Sequence, residues 1–228
     1  MIVFDVDGTL IGGEPADWAS FEGAFEEVAG FALTAEFFAG LEEVTAQAIV
    51  HQALAALPLE ERRAREHAVR VGYLRRLQAA HQSNPQCFPA ANGALALLRE
   101  LVAAKRPVAI ATGDWRETIS FKLRCAGIDV AGVPMMTSSE HYSRADIIAA
   151  AVSAAGGALQ QATYIGDGLW DLRACRKLGI SFVGVGARVE KLRQAGATHT
   201  VTDLVPLTFW PIFQAARNAH GGVGVPIS

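Results

Sequence analysis

Short apolar runs of strand length mark the start and the second half of the chain. Residues 2–6 (IVFDV) are β-prone and apolar on both faces, which is typical of a buried parallel strand. Five similar runs follow the Pro-, Asn- and Gly-bearing linker SNPQCFPAANG: PVAIATG, VPMMTS, ATYIGDG, SFVGVG and THTV. Helical patterns separate these runs, and several of them end at a glycine, at positions 127, 156, 179 and 196. The alternation predicts right-handed βαβ units and an α/β fold with a doubly wound parallel sheet.

A different pattern fills the stretch from about Asp17 to His81, where no convincing strand signal occurs. Three segments place apolar residues three and four positions apart, as amphipathic helices do: 18–31, 35–57 and 59–81. The second segment carries one continuous apolar stripe, and Pro58 separates it from the third. We therefore expect an all-helical cap domain at 13–87, inserted into a core formed by 1–12 and 88–228. The last residues, HGGVGVPIS, are expected to fray.

Composition and charge narrow the class of protein. A chain of 228 residues suits one large domain, or a core domain with a smaller insertion. The net charge of −3 gives no electrostatic reason to expect nucleic acid or an anionic membrane surface as a partner. The three cysteines lie far apart without metal-ligand spacing, and no apolar stretch approaches the ~20 residues of a membrane span. Because the start also lacks a signal-peptide pattern, we expect a cytoplasmic protein with reduced cysteines.

Polar residues concentrate where the predicted strands end, while the strand interiors stay apolar. Four strand ends supply four acids, a hydroxyl followed by glycine, and a basic residue: Asp5 and Asp7, Thr112-Gly113, Arg144, and Asp167 and Asp171. In open α/β sheets the ligand site lies at the carboxyl ends of the strands, so we expect these side chains to meet there. Clustered carboxylates repel one another unless a cation joins them, and hard oxygen ligands without His or Cys favour Mg²⁺.

These residue types suit the transfer of a phosphoryl group. Thr112, a cationic side chain and the backbone N–H groups around Gly8 and Gly113 can hold phosphoryl oxygens. An ionised aspartate beside the metal can act as nucleophile and form an aspartyl-phosphate. A D-G turn is the structural alternative for the first two acids. Asp167 could likewise serve only to cap a helix, whereas Asp171, inside the first turn, does not need to be acidic for capping.

The four polar strand ends resemble, in order, the four motifs of the haloacid dehalogenase-like (HAD) superfamily of phosphotransferases. Asp5-Val6-Asp7-Gly8-Thr9 is similar to motif I, Thr112 to motif II, Arg144 to motif III, and 166–171 (GDGLWD) to motif IV. The resemblance covers the whole chain, because the helical insertion falls where type C1 caps fall. It implies a Rossmann-like core and a Mg²⁺-dependent phosphatase that uses an aspartyl-phosphate intermediate.

The resemblance also implies a role for each motif residue. Asp5 would attack phosphorus in line, while Asp7 would protonate the leaving group and then activate water. Thr112 would hold a phosphoryl oxygen, and Arg144 would offset the charge of the nucleophile and the phosphoryl group.

The metal set implied by the resemblance comes from motifs I and IV: Asp5, the backbone carbonyl of Asp7, Asp167 directly, and Asp171 through the metal's water shell. Gly8 and Gly113 would permit close approach of substrate to the backbone. Trp18, from the insertion, is a candidate for the wall of the substrate cavity.

The residue that serves as motif III and the identity of the substrate are two questions that the resemblance leaves open. Motif III is usually Lys, and Arg116 and Lys122 are rivals of Arg144 for that role. The substrate is expected to be a small soluble phosphorylated metabolite, because a cap that closes over the site suits small molecules. Residues 12–18 and 42–47 are the segments we expect to contribute specificity contacts. Neither the metabolite nor the oligomeric state follows from the sequence.

The same fold serves other functions, and particular residues of this chain argue against some of them. A phosphosugar mutase, and a weakly catalytic binding protein that keeps the fold, are the alternatives to the phosphatase. A dehalogenase or a phosphonate hydrolase would carry a non-acidic residue in place of Asp7. The phosphonate hydrolase would also need a cap lysine, and residues 16–82 contain none.

Overall fold

The computed structural model describes residues 1–219, and its centre is a six-stranded sheet whose neighbouring strands are all parallel. The strands are β1 (Ile2–Phe4), β2 (Val108–Ala111), β3 (Met135–Met136), β4 (Thr163–Gly166), β5 (Ser181–Val185) and β6 (Thr200–Val201). Their order across the sheet is β3-β2-β1-β4-β5-β6. The predicted α/β fold with a doubly wound parallel sheet is therefore confirmed. The tail expected to fray, 220–228, lies outside the described residues.

The central strand β1 fixes the position of the first motif. Phe4 is in register with Ile110 of β2 on one side and with Ile165 of β4 on the other. Successive strand residues point to opposite faces, and accordingly Val3 packs into one buried hydrophobic cluster and Phe4 into another. Asp5, the next residue, therefore emerges at the carboxyl edge in the middle of the sheet.

Four helices lie between β1 and the helix that precedes β2: α1 (Glu14–Ala29), α2 (Ala35–Ala39), α3 (Ala46–Ala53) and α4 (Leu59–Ser83). The single helix predicted over 35–57 is wrong. Helix α2 ends before Gly40, and α3 begins after Thr45, whose hydroxyl accepts a hydrogen bond from the Ala48 N–H at 3.2 Å. Such a threonine cap satisfies a free amide at the start of a helix. The intervening residues 41–45 form a turn that we call the insertion loop.

The core helices are α5 (Ala94–Ala103), α6 (Arg116–Cys125), α7 (Arg144–Ala154), α8 (Leu169–Leu178), α9 (Val189–Gln194) and α10 (Pro206–Ala219), with a 3₁₀ turn at Leu159–Gln161. The four glycines predicted to end helices all have positive φ, as such ends require. Helix α4 contacts α6, and the apolar side chains of α1 and α4 belong to the same buried cluster as Phe4. The insertion is thus packed on the core rather than held only by its two connections.

Helix α10 is not among the helices predicted from the sequence, and Pro211 lies inside it. An internal proline removes a backbone hydrogen bond and normally argues against a helix. Phe209, Phe213 and Ala216 are buried along one side of α10, where the Ala216 carbonyl accepts a hydrogen bond from Ser181 of β5. Neither this helix nor any other within residues 1–219 is long and apolar enough to cross a membrane.

Candidate active site

Three carboxylates converge at the carboxyl edge of the sheet. Asp5 follows β1, Asp167 follows β4, and Asp171 lies in the first turn of α8. Each presents an oxygen within 4.8 Å of the others, and all three side chains are buried. Because β1 and β4 are neighbours in register, the acids of motifs I and IV meet although about 160 residues separate them. Three hard oxygen ligands so close together could hold a divalent metal ion.

Burial dominates the electrostatics of this cluster. It raises the pKa of Asp5 and of Asp167, and it raises the pKa of Asp171 to about 7. Oδ2 of Asp167 accepts a hydrogen bond from Arg188 at 2.7 Å, whereas its Oδ1 is buried and has no hydrogen-bond partner among the described residues. A buried carboxylate oxygen without a partner is costly, so the residues present fit a bound cation.

Asp171 has a capping role that the sequence analysis did not expect. Its Oδ2 accepts a hydrogen bond from the Gly168 N–H at 3.0 Å, which satisfies a free amide at the start of α8. The cap position is Gly168, so Asp167 does not cap the helix. An amide oxygen could accept the same hydrogen bond, so the expectation that capping does not need an acid at position 171 stays a prediction. The Asp171 carboxylate faces both the helix and the acid cluster.

Arg144 contacts the carboxylate that the resemblance assigns as nucleophile. Its Nη1 donates to Asp5 Oδ1 at 3.1 Å, and its Nη2 donates to the Val44 carbonyl at 3.2 Å. The Nε atom lies 3.5 Å from Asp171 Oδ1. Because the side chain is buried and held at several atoms, its guanidinium has a fixed orientation over the acid cluster.

The two rivals for this position lie elsewhere. Arg116 donates to Glu140 at 2.8 Å and to the Met135 carbonyl at 2.7 Å, away from Asp5. Lys122 points to the other motif I acid. Its ammonium lies 2.7 Å from Asp7 Oδ1. Of the three cations considered from sequence, Arg144 is therefore the one that touches Asp5.

Lys122 is the centre of a second buried charge cluster, beside the first. Its ammonium also lies 2.6 Å from Asp17 Oδ1 and 2.9 Å from Asp114 Oδ2, and the side chain is 0% exposed. Burial alone would lower the pKa of Lys122, but the surrounding carboxylates, Asp114 first, raise it well above its ordinary value. Burial also raises the pKa of Asp7 well above its ordinary value. Asp7 is thus a partly buried acid, its side chain 28% exposed, held next to the Lys122 ammonium.

A cavity of about 120 Å³ opens in front of both clusters. Six of the predicted site residues line it: Asp5, Asp7, Trp18, Thr112, Gly113 and Arg144. Gly8, also predicted for the site, is not among the lining residues; its φ is +77, and a Cβ there would overlap the Asp167 carboxylate. At Gly113 a Cβ would lie 2.5 Å from the Arg144 Nη2 atom. Glycine is therefore needed at both positions. A side chain at position 8 would displace the Asp167 carboxylate, and one at position 113 would displace the Arg144 guanidinium.

The insertion loop completes the wall of the cavity. Val44 and Thr45 of the loop line it together with Ala46, the first residue of α3, and the Ala46 N–H donates to the Gly113 carbonyl at 2.7 Å. Oε2 of Glu43 accepts a hydrogen bond from the Arg144 N–H at 3.1 Å. The segment 42–47, expected to make specificity contacts, is therefore placed at the site, while its contacts with a substrate remain a prediction.

Sequence reasoning missed several residues that line the same cavity: Phe21, Ile49, Tyr73, Asp114 and Trp170. Asp17, which also lines it, falls inside the segment 12–18 expected to make specificity contacts. Asp114 had a signal, since it follows Thr112 by two residues at a strand end. Asp17 and Tyr73 come from the insertion, and no spacing in the sequence links them to Lys122. The Tyr73 hydroxyl donates to Asp17 Oδ1 at 2.5 Å, so the two insertion residues reach the lysine together.

A parallel α/β core with a helical insertion, and buried carboxylates at the carboxyl edge of its sheet, defines the class of protein. The chain matches the family model of the haloacid dehalogenase-like hydrolases over residues 2–185 and belongs to that family. The match confirms the resemblance drawn from the four motifs, and it supports the expected class of enzyme, a HAD-like phosphatase. A search among curated proteins finds no match.

Solved structures share this fold at low sequence identity. A hydrolase from Pseudomonas syringae superposes with a TM-score of 0.73 at 19% identity, covering 90% of this chain and 94% of its own. CbbY from Rhodobacter sphaeroides, solved with phosphate, gives 0.70 at 18% identity, with 90% and 95% covered. A β-phosphoglucomutase from Clostridium difficile gives 0.71 at 16% identity, with 96% and 97% covered. These likenesses support the fold over the 90% to 96% of the chain that they cover.

Proposed function

We propose that this protein is a Mg²⁺-dependent phosphomonoester hydrolase that acts on a small phosphorylated metabolite through an aspartyl-phosphate intermediate. The observation that carries the proposal is the pair of contacts around Asp5. Its carboxylate shares a metal-ligand cluster with Asp167 and Asp171 and is held by the Arg144 guanidinium at 3.1 Å. A carboxylate between a cation site and an arginine is poised to meet an anionic phosphoryl group.

The metal would be held by Asp5, Asp167 and the backbone carbonyl of Asp7, with Asp171 in the outer shell. The buried Oδ1 of Asp167, which has no hydrogen-bond partner among the described residues, supports this assignment. When bound, Mg²⁺ would neutralise carboxylate charge and draw the phosphoryl group towards Asp5. The oxygen-only ligand set favours Mg²⁺ over softer ions.

The protein groups then divide the chemistry. Asp5 attacks phosphorus while Arg144 and the Thr112 hydroxyl hold phosphoryl oxygens. The P–O bond to the leaving group breaks, and Asp7 gives its proton to the departing oxygen, which its raised pKa supports. Asp7 then takes a proton from water, which attacks the phosphorus of the aspartyl-phosphate while the P–O bond to Asp5 breaks and the Asp5 carboxylate is released. The net reaction consumes one water and yields inorganic phosphate and an alcohol.

The size of the cavity supports a small substrate. At about 120 Å³ it lies below the ~300–1,000 Å³ of typical drug-sized ligand pockets. The insertion loop and α1 form much of its wall, so the insertion would shield the reaction from bulk water. CbbY, which shares the fold, has been solved with phosphate and, as a mutant, with xylulose-(1,5)bisphosphate, which are small ligands of the same kind.

The test is a panel of phosphate esters assayed with Mg²⁺, including a simple aryl phosphate. We expect Mg²⁺-dependent release of phosphate that Asp5→Asn abolishes and that the exposed-site control Asp129→Asn leaves intact. Turnover of the aryl phosphate well above any sugar-phosphate isomerisation would separate the phosphatase from the mutase. No hydrolysis by the folded parent protein would favour a binding protein that has kept the fold. Equal hydrolysis by Asp5→Asn and the parent would refute Asp5 as nucleophile.

A further inference from the structure

The part of the cavity beyond Asp7 is acidic on one side and apolar on the other. Asp17 and Asp114 line the acidic side together with the Tyr73 hydroxyl. Trp18 and Phe21, whose rings stack with centroids 5.7 Å apart, line the apolar side. Since Asp5 and Arg144 occupy the opposite end, where the phosphoryl group belongs, this part of the cavity would receive the leaving group.

The cation of this region does not face the leaving group. Lys122 is fully buried behind its three carboxylate partners and is not among the residues that line the cavity. Arg144 is the cationic side chain found in the lining within residues 1–219, and its donors go to Asp5 and to the Val44 carbonyl. Whether the acids are ionised or protonated, the leaving-group end therefore offers no positive charge.

The mouth that adjoins this part of the cavity is also lined mainly by acidic and apolar residues. This wider space of about 550 Å³ is lined by Asp7, Glu14 and Asp17, together with the cation Arg188. Arg188 is already paired, because its Nη1 lies 2.7 Å from Asp167 and its Nη2 lies 2.8 Å from Glu14. A second anionic group on a substrate would meet carboxylates here, at a cost of several kcal/mol for direct like-charge contact.

We propose that the leaving group carries no negative charge and that its free end donates hydrogen bonds. The substrate class is thus the phosphate monoester of a small neutral polyol or amino alcohol, whose hydroxyl or ammonium group donates a hydrogen bond to the Asp17 carboxylate. Esters with a second anion, such as phosphorylated hydroxy acids and bisphosphates, are poor substrates. This inference rests on the proposed phosphatase function and specifies its substrate.

The experiment compares esters of matched size with the Mg²⁺-loaded full chain. Glycerol 3-phosphate is paired with 3-phosphoglycerate, and phosphoethanolamine is paired with phosphoglycolate. An aryl phosphate serves as reference substrate, and each ester is also assayed as an inhibitor of its hydrolysis. We expect kcat/KM, or the inhibition constant where turnover is slow, to favour the member without the second anion by roughly 100-fold in both pairs.

A variant tests whether the acidic wall is the cause. Asp17→Asn removes one negative charge with little change of shape, and we expect it to reduce the preference in both pairs by about 10-fold. Asp129→Asn, on the exposed surface, should leave the preference unchanged. If Asp17→Asn does not fold, the corresponding change at Asp114 provides the second variant.

The outcomes separate the two proposals. A preference below threefold, or one in favour of the anionic esters, with the aryl phosphate still hydrolysed, would overturn the inference and leave the phosphatase intact. A preference that neither variant reduces would overturn the assignment to the acidic wall. No hydrolysis of the aryl phosphate by the folded protein would remove the phosphatase function, and the inference with it.

Discussion

The Lys122 ammonium lies 2.7 Å from Asp7 Oδ1, and this contact joins the core helix α6 to the acid expected to move the proton. The same ammonium lies 2.6 Å from Asp17 of α1, so one core lysine holds both a motif acid and the insertion. Removing one partner of a buried charge cluster leaves the others uncompensated. Lys122 is therefore expected to matter for stability and for catalysis together.

Replacement of Lys122 by methionine should lower both stability and activity, whereas the same replacement of an exposed lysine should not. We expect Lys122→Met to lower the free energy of unfolding by about 3–5 kcal/mol, because buried carboxylates lose their cation. We also expect kcat to fall by about 10- to 100-fold, since Asp7 then holds its proton too tightly to activate water. Denaturant unfolding and steady-state kinetics measure the two quantities. The exposed Lys177→Met is the control, and equal behaviour of the two variants would contradict the role of Lys122.

Arg144 should be the cation whose loss most affects phosphoryl transfer. We expect Arg144→Met to lower kcat by about 10²–10³-fold, because charge that develops on the phosphoryl group loses its donor. Arg144→Lys should restore part of the rate, since charge returns without the several fixed donors. Arg116→Met, which removes the exposed rival, should leave kcat within about twofold of the parent. A larger loss in Arg116→Met than in Arg144→Met would reverse the assignment of motif III.

The contacts of Gly8 predict a defect at the metal site in addition to the loss of stability that a side chain at positive φ causes. Gly8→Ala places a Cβ against the Asp167 carboxylate at φ +77, so we expect Mg²⁺-dependent activity to fall at least about 100-fold. Gly127 has a similar φ of +67, but an added Cβ there has open space. Gly127→Ala should thus cost about 1–2 kcal/mol of stability and leave the activity of the folded protein unchanged. Comparable activity in the two alanine variants would argue against this account.

The buried acid cluster predicts opposite effects of pH on the metal-free and the Mg²⁺-bound protein. Burial raises the pKa of Asp171 from 3.8 to about 7, so between these values the folded protein binds more protons than the unfolded chain. The resulting stabilisation is complete below the lower value and is lost as pH rises through about 7. With EDTA present, Tm should therefore fall over this range, and less steeply in Asp171→Asn. Mg²⁺ needs ionised ligands, so its stabilising effect should grow with pH.

Calorimetry with EDTA and with Mg²⁺, at several pH values on either side of about 7, measures both trends. A Tm that rises with pH in EDTA, or a Mg²⁺ effect that is largest at acidic pH, would contradict the cluster as described.

Much of the fold follows from local sequence pattern. The parallel strands are short buried runs whose ends carry the polar residues, and glycines with positive φ end the helices between them. The helix predicted over 35–57 failed because an apolar stripe does not reveal that Thr45 caps a new helix. Helix α10 was not predicted: its internal Pro211 argues against a helix, and the burial of Phe209 and Phe213 that supports it is visible only in the tertiary structure.

Part of the candidate site could also be predicted from the sequence, and part could not. Asp5, Thr112 and Asp167 were predictable because parallel strands bring their carboxyl ends to one edge. The partners of Lys122 were not, since Asp17 and Tyr73 lie on two insertion helices whose packing on α6 determines the contact. Lys122 had been weighed only against the phosphoryl group, whereas the structure places it on Asp7.

Chemical trapping of the intermediate tests the central claim most directly. The protein is denatured in acid during turnover of an aryl phosphate with Mg²⁺, reduced with borohydride, and mapped by peptide mass spectrometry. An aspartyl-phosphate at Asp5 would be reduced to homoserine at that position, dependent on substrate and absent from Asp5→Asn. The account predicts this modification at Asp5 alone. Reduction at another acid, or sustained turnover with Asp5 unmodified, would contradict it.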